Sequence, residues 1–410
     1  MTEMSVTPGV AETTGIALTP PIAARPVTHE PSAAELEACA EKQSLREAGA
    51  ISRSGAAYLD LARVIATNLV LVGHAAYFFG FDRGFPFGGL GVTVFFLLSG
   101  FLITLAAVKR WERPGPQFLP FMIDRCARIF VPFVPILCCV ALLDLALGLG
   151  GRGQVGVNSG PIAFFGNLFL LNDYPVLQAA THLAPVADLY PRTYKTAESF
   201  WTIPIEFWTY VVFASFAFAF LRRERVSPPV IALLLAIALP IFLWNAFAGG
   251  AGCLSLIWIM GAVTAYFWST GTAQLERKAT LGAVLLLFGG LCLGGRLMKV
   301  GLDPYEFQQS FLIGVLLFGG FLMAEALPDR LWARTLAAGR IAALLAGYSY
   351  SLYLVHNTVL VFFSEKVSDA QGAALLAILA AHCTAFGCYF LFERRYRAVG
   401  LWLKRRLAVE

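Results

Sequence analysis

The sequence predicts an all-α fold: a polytopic integral membrane protein with about ten transmembrane helices and both termini on the cytoplasmic side. Composition is the first reason. Of 410 residues, 58% are hydrophobic and 14% charged, whereas soluble domains carry a charged fraction near ~25%. The second is a succession of apolar runs long enough, or nearly so, to cross a hydrocarbon core of roughly 30 Å. The third is the placement of Lys and Arg. With the N-terminus set inside, 24 of the 31 fall on the cytoplasmic side, the bias that membrane insertion imposes. The net charge of +5 is therefore explained by topology, and no nucleic-acid partner is expected.

Taken in order, residues 1–57 are rich in Pro, Thr and Ala without the apolar core of a signal peptide, and read as a disordered cytoplasmic tail. A transmembrane domain over 58–393 follows, with spans at about 61–81, 88–108, 129–149, 200–221, 229–247, 252–269, 279–296, 310–327, 341–363 and 372–392. Residues 394–410 read as a basic cytoplasmic tail. One connection is long, the outer loop at about 150–199, and loops of that length usually carry function. Its apolar piece Pro161–Leu171 is too short to span, and its polar residues Asn158, Asp173, His182, Asp188, Tyr190, Tyr194 and Glu198 suit a cap over an acceptor or a lid that simply packs. The eight cysteines are scattered, with no CxxC or Cys/His ligand spacing. Neither a metal nor a disulfide framework is expected. No internal repeat appears, which counts against inverted-repeat transporter folds.

The first span, YLDLARVIATNLVLVGH from Tyr58 to His74, carries Arg63 and His74 at membrane depth. An ionisable group there costs at least ~2.5 kcal/mol and normally faces a protein interior or a water-filled cavity. Eleven residues separate the two, roughly 16 Å along a helix, so Arg63 belongs near the inner face and His74 in the outer half. Counting residues along their spans puts Glu206 and His356 at the depth of His74, a layer of three ionisable groups. In the second span, Gly88, Gly89, Gly91 and Gly100 favour close helix packing around Ser99. In DRCAR, Arg125 and Arg128 share one helix face before the third span, a fork suited to phosphate, although positive-inside anchoring and lipid headgroup contact explain such pairs more often.

These pieces in this order, LDLARVIATNLVLVGH, GVTVFFLLSGFLI, RCAR with Pro132, SFWTIPIEFW and GYSYSLYLVH, resemble the acyltransferase 3 family of integral membrane acyltransferases over about residues 58–400. The resemblance implies a ten-helix bacterial inner-membrane enzyme that takes an acyl group, commonly acetyl, from cytoplasmic acyl-coenzyme A. The acceptor it implies is a hydroxyl of a carbohydrate, such as exopolysaccharide, O-antigen or a lipid-linked sugar. Carried onto this sequence, the family's essential residues fall on Arg63 and His74, its RxxR pair on Arg125 and Arg128, its SGF segment on Ser99, Gly100 and Phe101, and its tryptophan-to-glutamate segment on Trp201 and Glu206.

The sequence departs from that pattern twice. WTIPIEFWTY has Phe207 where the family commonly has a second acid, leaving Glu206 to act alone, and FERRYR lacks a proline, so Glu393 receives no role. The expected mechanism uses His74 as general base with Glu206 orienting it, and Arg63 assisting. Arg125 and Arg128 would hold the coenzyme A phosphates, while Ser99, Trp201 and His356 line the substrate path. Membrane lipids are expected partners, and a homo-oligomer is left open. The competing reading is a transporter or flippase that uses His74, Glu206 and His356 as a proton relay.

Overall fold

The computed structural model describes residues 51–81, 84–149, 159–183, 190–248, 252–271, 276–328, 339–367 and 370–409. Of the expected loop residues, Asn158 and Asp188 lie outside them, as does the N-terminal tail up to residue 50. The long helices are α1 (Arg53–Phe78), α2 (Phe87–Trp111) and α3 (Phe118–Leu147). Two short helices follow, α4 (Pro161–Leu168) and α5 (Pro175–Leu183). A tight turn of helix at Glu198–Trp201 then leads into α6 (Thr202–Ala214), which continues as a wider helical turn to Leu221. After these come α7 (Pro228–Leu243), α8 (Leu254–Thr270), α9 (Lys278–Val300), α10 (Phe307–Glu325), α11 (Ser349–Lys366), α12 (Ala370–Leu391) and α13 (Tyr396–Arg406).

Among the described residues, eight helices are long and apolar enough to cross a membrane, which makes this an all-α polytopic membrane protein and accounts for eight of the ten spans expected. Both exceptions are helical where spans were expected. One is α8, which has 17 residues, about 26 Å at 1.5 Å per residue. The other is α11, where Ser349, Ser351, His356, Asn357 and Thr358 are all buried. Both helices bury much of their surface on neighbours, so α11 can be polar: its hydrogen-bonding groups meet protein rather than lipid.

Glycine sets the closest approaches. A side chain at Gly91 would strike the Ala66 carbonyl and Val70 of α1, while one at Gly100 would strike the Trp258 carbonyl of α8. Gly261 of α8 has the reciprocal relation to the Leu97 carbonyl of α2. The second span is thus clasped on both sides by backbone, the packing that small residues permit in lipid. The N-terminus of α1 is held by Glu325 at the end of α10, whose Oε1 accepts from the Ser52 amide at 2.9 Å and its hydroxyl at 3.0 Å. That carboxylate also complements the positive end of the helix dipole. Helix α1 begins at Arg53, eight residues before the expected span.

The long loop is built into the bundle. Asn167 in α4 is buried and donates to the Ala163 and Arg192 carbonyls at 2.7 and 2.8 Å. Trp208 of α6 donates to the Leu170 carbonyl at 2.7 Å. Asp173 accepts from the Tyr190 hydroxyl at 3.1 Å, and burial pushes the Asp173 carboxyl up from its ordinary range, with the Tyr190 hydrogen bond opposing that shift. Thr196 is the innermost anchor. Its hydroxyl donates to Asp144 of α3 at 2.7 Å and lies 2.8 Å from the Thr358 hydroxyl of α11, while its carbonyl accepts from Asn357 at 2.7 Å. Because the Thr196 proton is committed to Asp144, Thr358 is the donor in the second contact.

Candidate active site

A tandem of imidazoles occupies one end of the bundle. His74 of α1 and His356 of α11 stack with ring centroids 5.0 Å apart and planes 21° from parallel, and His74 Nδ1 lies 2.9 Å from His356 Nε2. His356 Nδ1 faces the Leu352 and Tyr353 carbonyls at 3.1 and 2.8 Å. Carbonyl oxygens only accept, so Nδ1 of His356 carries the proton, and in the neutral ring Nε2 is the acceptor. His74 must then donate from Nδ1. This leaves His74 Nε2 with a free lone pair, beside Gly88, where a methyl carbon would stand 3.8 Å from the ring. The polar packing of α11 fixes His356 in this orientation. Thr196 and Asp144 tie Asn357 and Thr358, and the Tyr353 hydroxyl donates to the Ser199 carbonyl at 2.7 Å.

Glu206 does not join this pair, contrary to the expectation of one layer. Its Oε1 accepts from Ser99 Oγ at 2.9 Å and from the Tyr210 hydroxyl. Trp258 Nε1 donates to the same serine oxygen at 3.2 Å. Ser99 lies eleven residues along α2 from Gly88, so this cluster sits roughly 16 Å from the level of His74. The residue count failed because the chain does not enter at the membrane surface: Ala197, Ser199 and Phe200 are already buried before α6 begins. Trp201 stays nearer the imidazole end, edge-on to Tyr305 at 6.5 Å, and Tyr305 in turn packs over Gly89.

A cavity of about 580 Å³ runs past the Ser99–Glu206 cluster; neither His74 nor His356 lines it. Arg63, Arg125 and Arg128 line one end, Ser99, Glu206 and Tyr210 its wall, and Tyr353 its inner reach. The Tyr353 ring is 5.7 Å from that of His356. The structure thus brings Arg63 together with the RxxR pair, as expected, but the three arginines are not equivalent. Arg63 is 3.3 Å from Asp60. Arg128 is 2.6 Å from Glu393 and lies over the Tyr350 and Tyr396 rings at 5.5 and 4.9 Å. Arg125 has no carboxylate partner among the described residues, and its Nε is buried without a hydrogen bond.

Sequence reasoning passed over Glu393. It is fully buried, and besides Arg128 it accepts from the Ser351 amide at 3.0 Å and hydroxyl at 2.6 Å, capping the start of α11. The acid in FERRYR, three residues from an aromatic that covers the same arginine, was the available signal. His382 of α12 was also missed; it bridges the Tyr348 hydroxyl at 3.1 Å and Asn68 Oδ1 at 3.2 Å.

Fold and site together define an integral membrane protein with a polar cavity among its helices, lined by arginines and by the Ser99–Glu206–Tyr210 cluster, and with a bonded pair of imidazoles beyond its Tyr353 wall. The chain belongs to the acyltransferase 3 family, whose model, described as an acyltransferase domain, matches residues 56–393. It is similar to an O-acetyl transferase of Shigella phage Sf6, 27% identical over 190 residues, which is 44% of this chain and 51% of that protein. It is also similar to the exopolysaccharide production protein ExoZ of Rhizobium meliloti (strain 1021), 26% identical over 323 residues, 76% of this chain and 90% of that one. The chain therefore spans about half of the phage relative and most of the rhizobial one. No solved structure matches it.

Proposed function

We propose that this protein transfers an acyl group, acetyl in the simplest case, from cytoplasmic acyl-coenzyme A to a hydroxyl of a carbohydrate acceptor such as exopolysaccharide, O-antigen or a lipid-linked sugar, in a bacterial inner membrane. The observation that carries this reading is the hydrogen-bond chain ending on a free His74 Nε2. Family membership and the names of the two relatives, an O-acetyl transferase and an exopolysaccharide production protein, support acyl transfer and a polysaccharide-type acceptor. The arginine end is the cytoplasmic one, in keeping with the excess of Lys and Arg on that side.

In the reaction, the acceptor hydroxyl oxygen attacks the thioester carbonyl carbon while His74 Nε2 takes its proton. The carbon–sulfur bond then breaks, and the departing thiolate recovers that proton from His74, so ester and free thiol leave and the enzyme returns unchanged. While His74 is charged, its Nδ1–H remains hydrogen-bonded to His356, whose own N–H is fixed on two carbonyls, so the ring neither flips nor changes tautomer. His356 takes the orienting role expected of Glu206. Glu206, with Ser99 and Tyr210, instead presents a carboxylate to the middle of the chamber, suited to an amide N–H of the pantetheine arm. Trp201, beside Tyr305, belongs to the acceptor side.

The transporter reading needs a contiguous relay through His74, Glu206 and His356, and the separation of roughly 16 Å along α2 argues against one. The test supplies labelled acetyl-coenzyme A to inverted membrane vesicles and follows ester formation on endogenous surface glycan. Label should enter the glycan with the wild-type chain and not with His74→Ala at equal expression. Vesicles that move glycan with no acyl donor present would overturn the enzyme assignment.

A further inference from the structure

The C-terminal segment, expected to be a tail, lines the chamber. Arg394 and Arg397 face the same cavity as Arg125, and α13 is seated on α3 rather than hanging free. Two features hold it there. Lys404 Nζ is 2.9 Å from Asp124, which also pairs with Arg110, and Gly400 packs against α3 where a side-chain carbon would meet Asp124 at 3.4 Å and Ala127 at 3.5 Å.

The cations of the chamber differ in how they are neutralised. Asp60 answers Arg63, and Glu393 answers Arg128. Asp124, the neighbour of Arg125, is already engaged by Arg110 and Lys404. Among the described residues, Arg125, Arg394 and Arg397 have no carboxylate in ion-pair range. Arg394 stacks on Phe390 at 5.1 Å, and Arg397 donates to the Tyr396 hydroxyl at 3.1 Å, so each is held by aromatic groups that leave its charge uncompensated. The buried Arg125 Nε, with no acceptor, is a donor waiting for one. Three planar guanidinium groups from two chain segments line one cavity, an arrangement suited to a polyphosphate.

We infer that Arg125, Arg394 and Arg397 bind the nucleotide phosphates of the acyl donor, and that Arg128 is a structural cation held by Glu393. This rests on the acyltransferase reading and moves the phosphate contact from the RxxR pair to one of its members plus the C-terminal segment. The same chemistry would bind anionic lipid headgroups, so the experiment separates the two.

The full-length chain is placed in phosphatidylcholine nanodiscs and titrated with coenzyme A and with pantetheine, which lacks every phosphate. Arg397→Gln, Arg394→Gln and Arg125→Gln should each weaken coenzyme A binding about tenfold, the worth of one charge-assisted contact, and leave pantetheine binding unchanged. Arg223→Gln, a cation outside the cavity, should match the wild type. If the wild type binds coenzyme A and the Arg394 and Arg397 variants bind it equally well, the inference is wrong while the enzyme reading stands. It is also wrong if those variants lose only a response to added phosphatidylglycerol. A wild type that binds neither probe overturns both. Arg394 and Arg397 are exposed, so their variants remain informative if Arg125→Gln fails to fold.

Discussion

The imidazole pair and the arginine-lined cavity are built on opposite rules. At the imidazole end every polar group but one is committed: two rings, two carbonyls and a single nitrogen left over. At the arginine end, Arg63 and Arg128 are compensated, while Arg125, Arg394 and Arg397 have no carboxylate partner among the described residues. A directional chain of hydrogen bonds defines a protonation state, whereas surplus charge defines a class of ligand and tolerates the loss of a member. Mutations should therefore act all-or-none at the first end and by degrees at the second.

The largest effect is expected from His74→Ala, which removes the base and should lower acyl transfer by about 10²- to 10⁴-fold, measured as initial rate in membranes with protein level matched. Next is His356→Ala, which leaves His74 present but free to rotate and to change tautomer. A loss of about 10- to 100-fold, the usual cost of removing an orienting partner, should appear in kcat with donor KM unchanged. Combining it with His74→Ala should cost nothing further, because the two act as one unit. Equal and additive losses from the two histidines would break the tandem. Glu393→Gln comes third and tests the other end. It leaves Arg128 without its anion, so stability should fall by about 2 to 4 kcal/mol, read as a lower Tm in detergent. Coenzyme A affinity per folded molecule should fall much less than in Arg397→Gln. If Arg128 is the phosphate ligand instead, freeing it from Glu393 would tighten coenzyme A binding.

Much of this was legible in the sequence because the relevant spacing was local. Arg63 and His74 lie on one helix, so their separation followed from helical rise, and the apolar runs announced most of the bundle. What was hidden depended on where a segment enters the bundle. Glu206 was assigned the wrong neighbour because residues 190–201 descend into the protein before α6 starts, held by Thr196 on Asp144 and α11; counting from an assumed surface could not register that. Two of the ten expected spans do not count among the eight long apolar helices because α8 has 17 residues and α11 commits polar residues to internal bonds, although both are helical where the sequence placed them. The role of Glu393 and the seating of α13 are contacts across more than 260 residues, and the local FERRYR pattern could mark the acid without naming its distant partner.

Gly88 gives the reactive nitrogen its surroundings, and it does so by having no side chain. Gly73 and Gly88 bring the backbones of α1 and α2 together so closely that a carbon on Gly73 would sit 2.6 Å from the Gly88 amide, whereas a carbon on Gly88 itself would rest at an ordinary 3.8 Å from the His74 ring. The first position is closed to any larger residue, but the second is a vacant seat. Substituting alanine and then valine at Gly88 would narrow the approach to Nε2 in two steps, of one carbon and then two more, while leaving the histidine itself in place. Under the proposed function, the size of alcohol admitted to His74 should thus shrink stepwise through changes at a single backbone position.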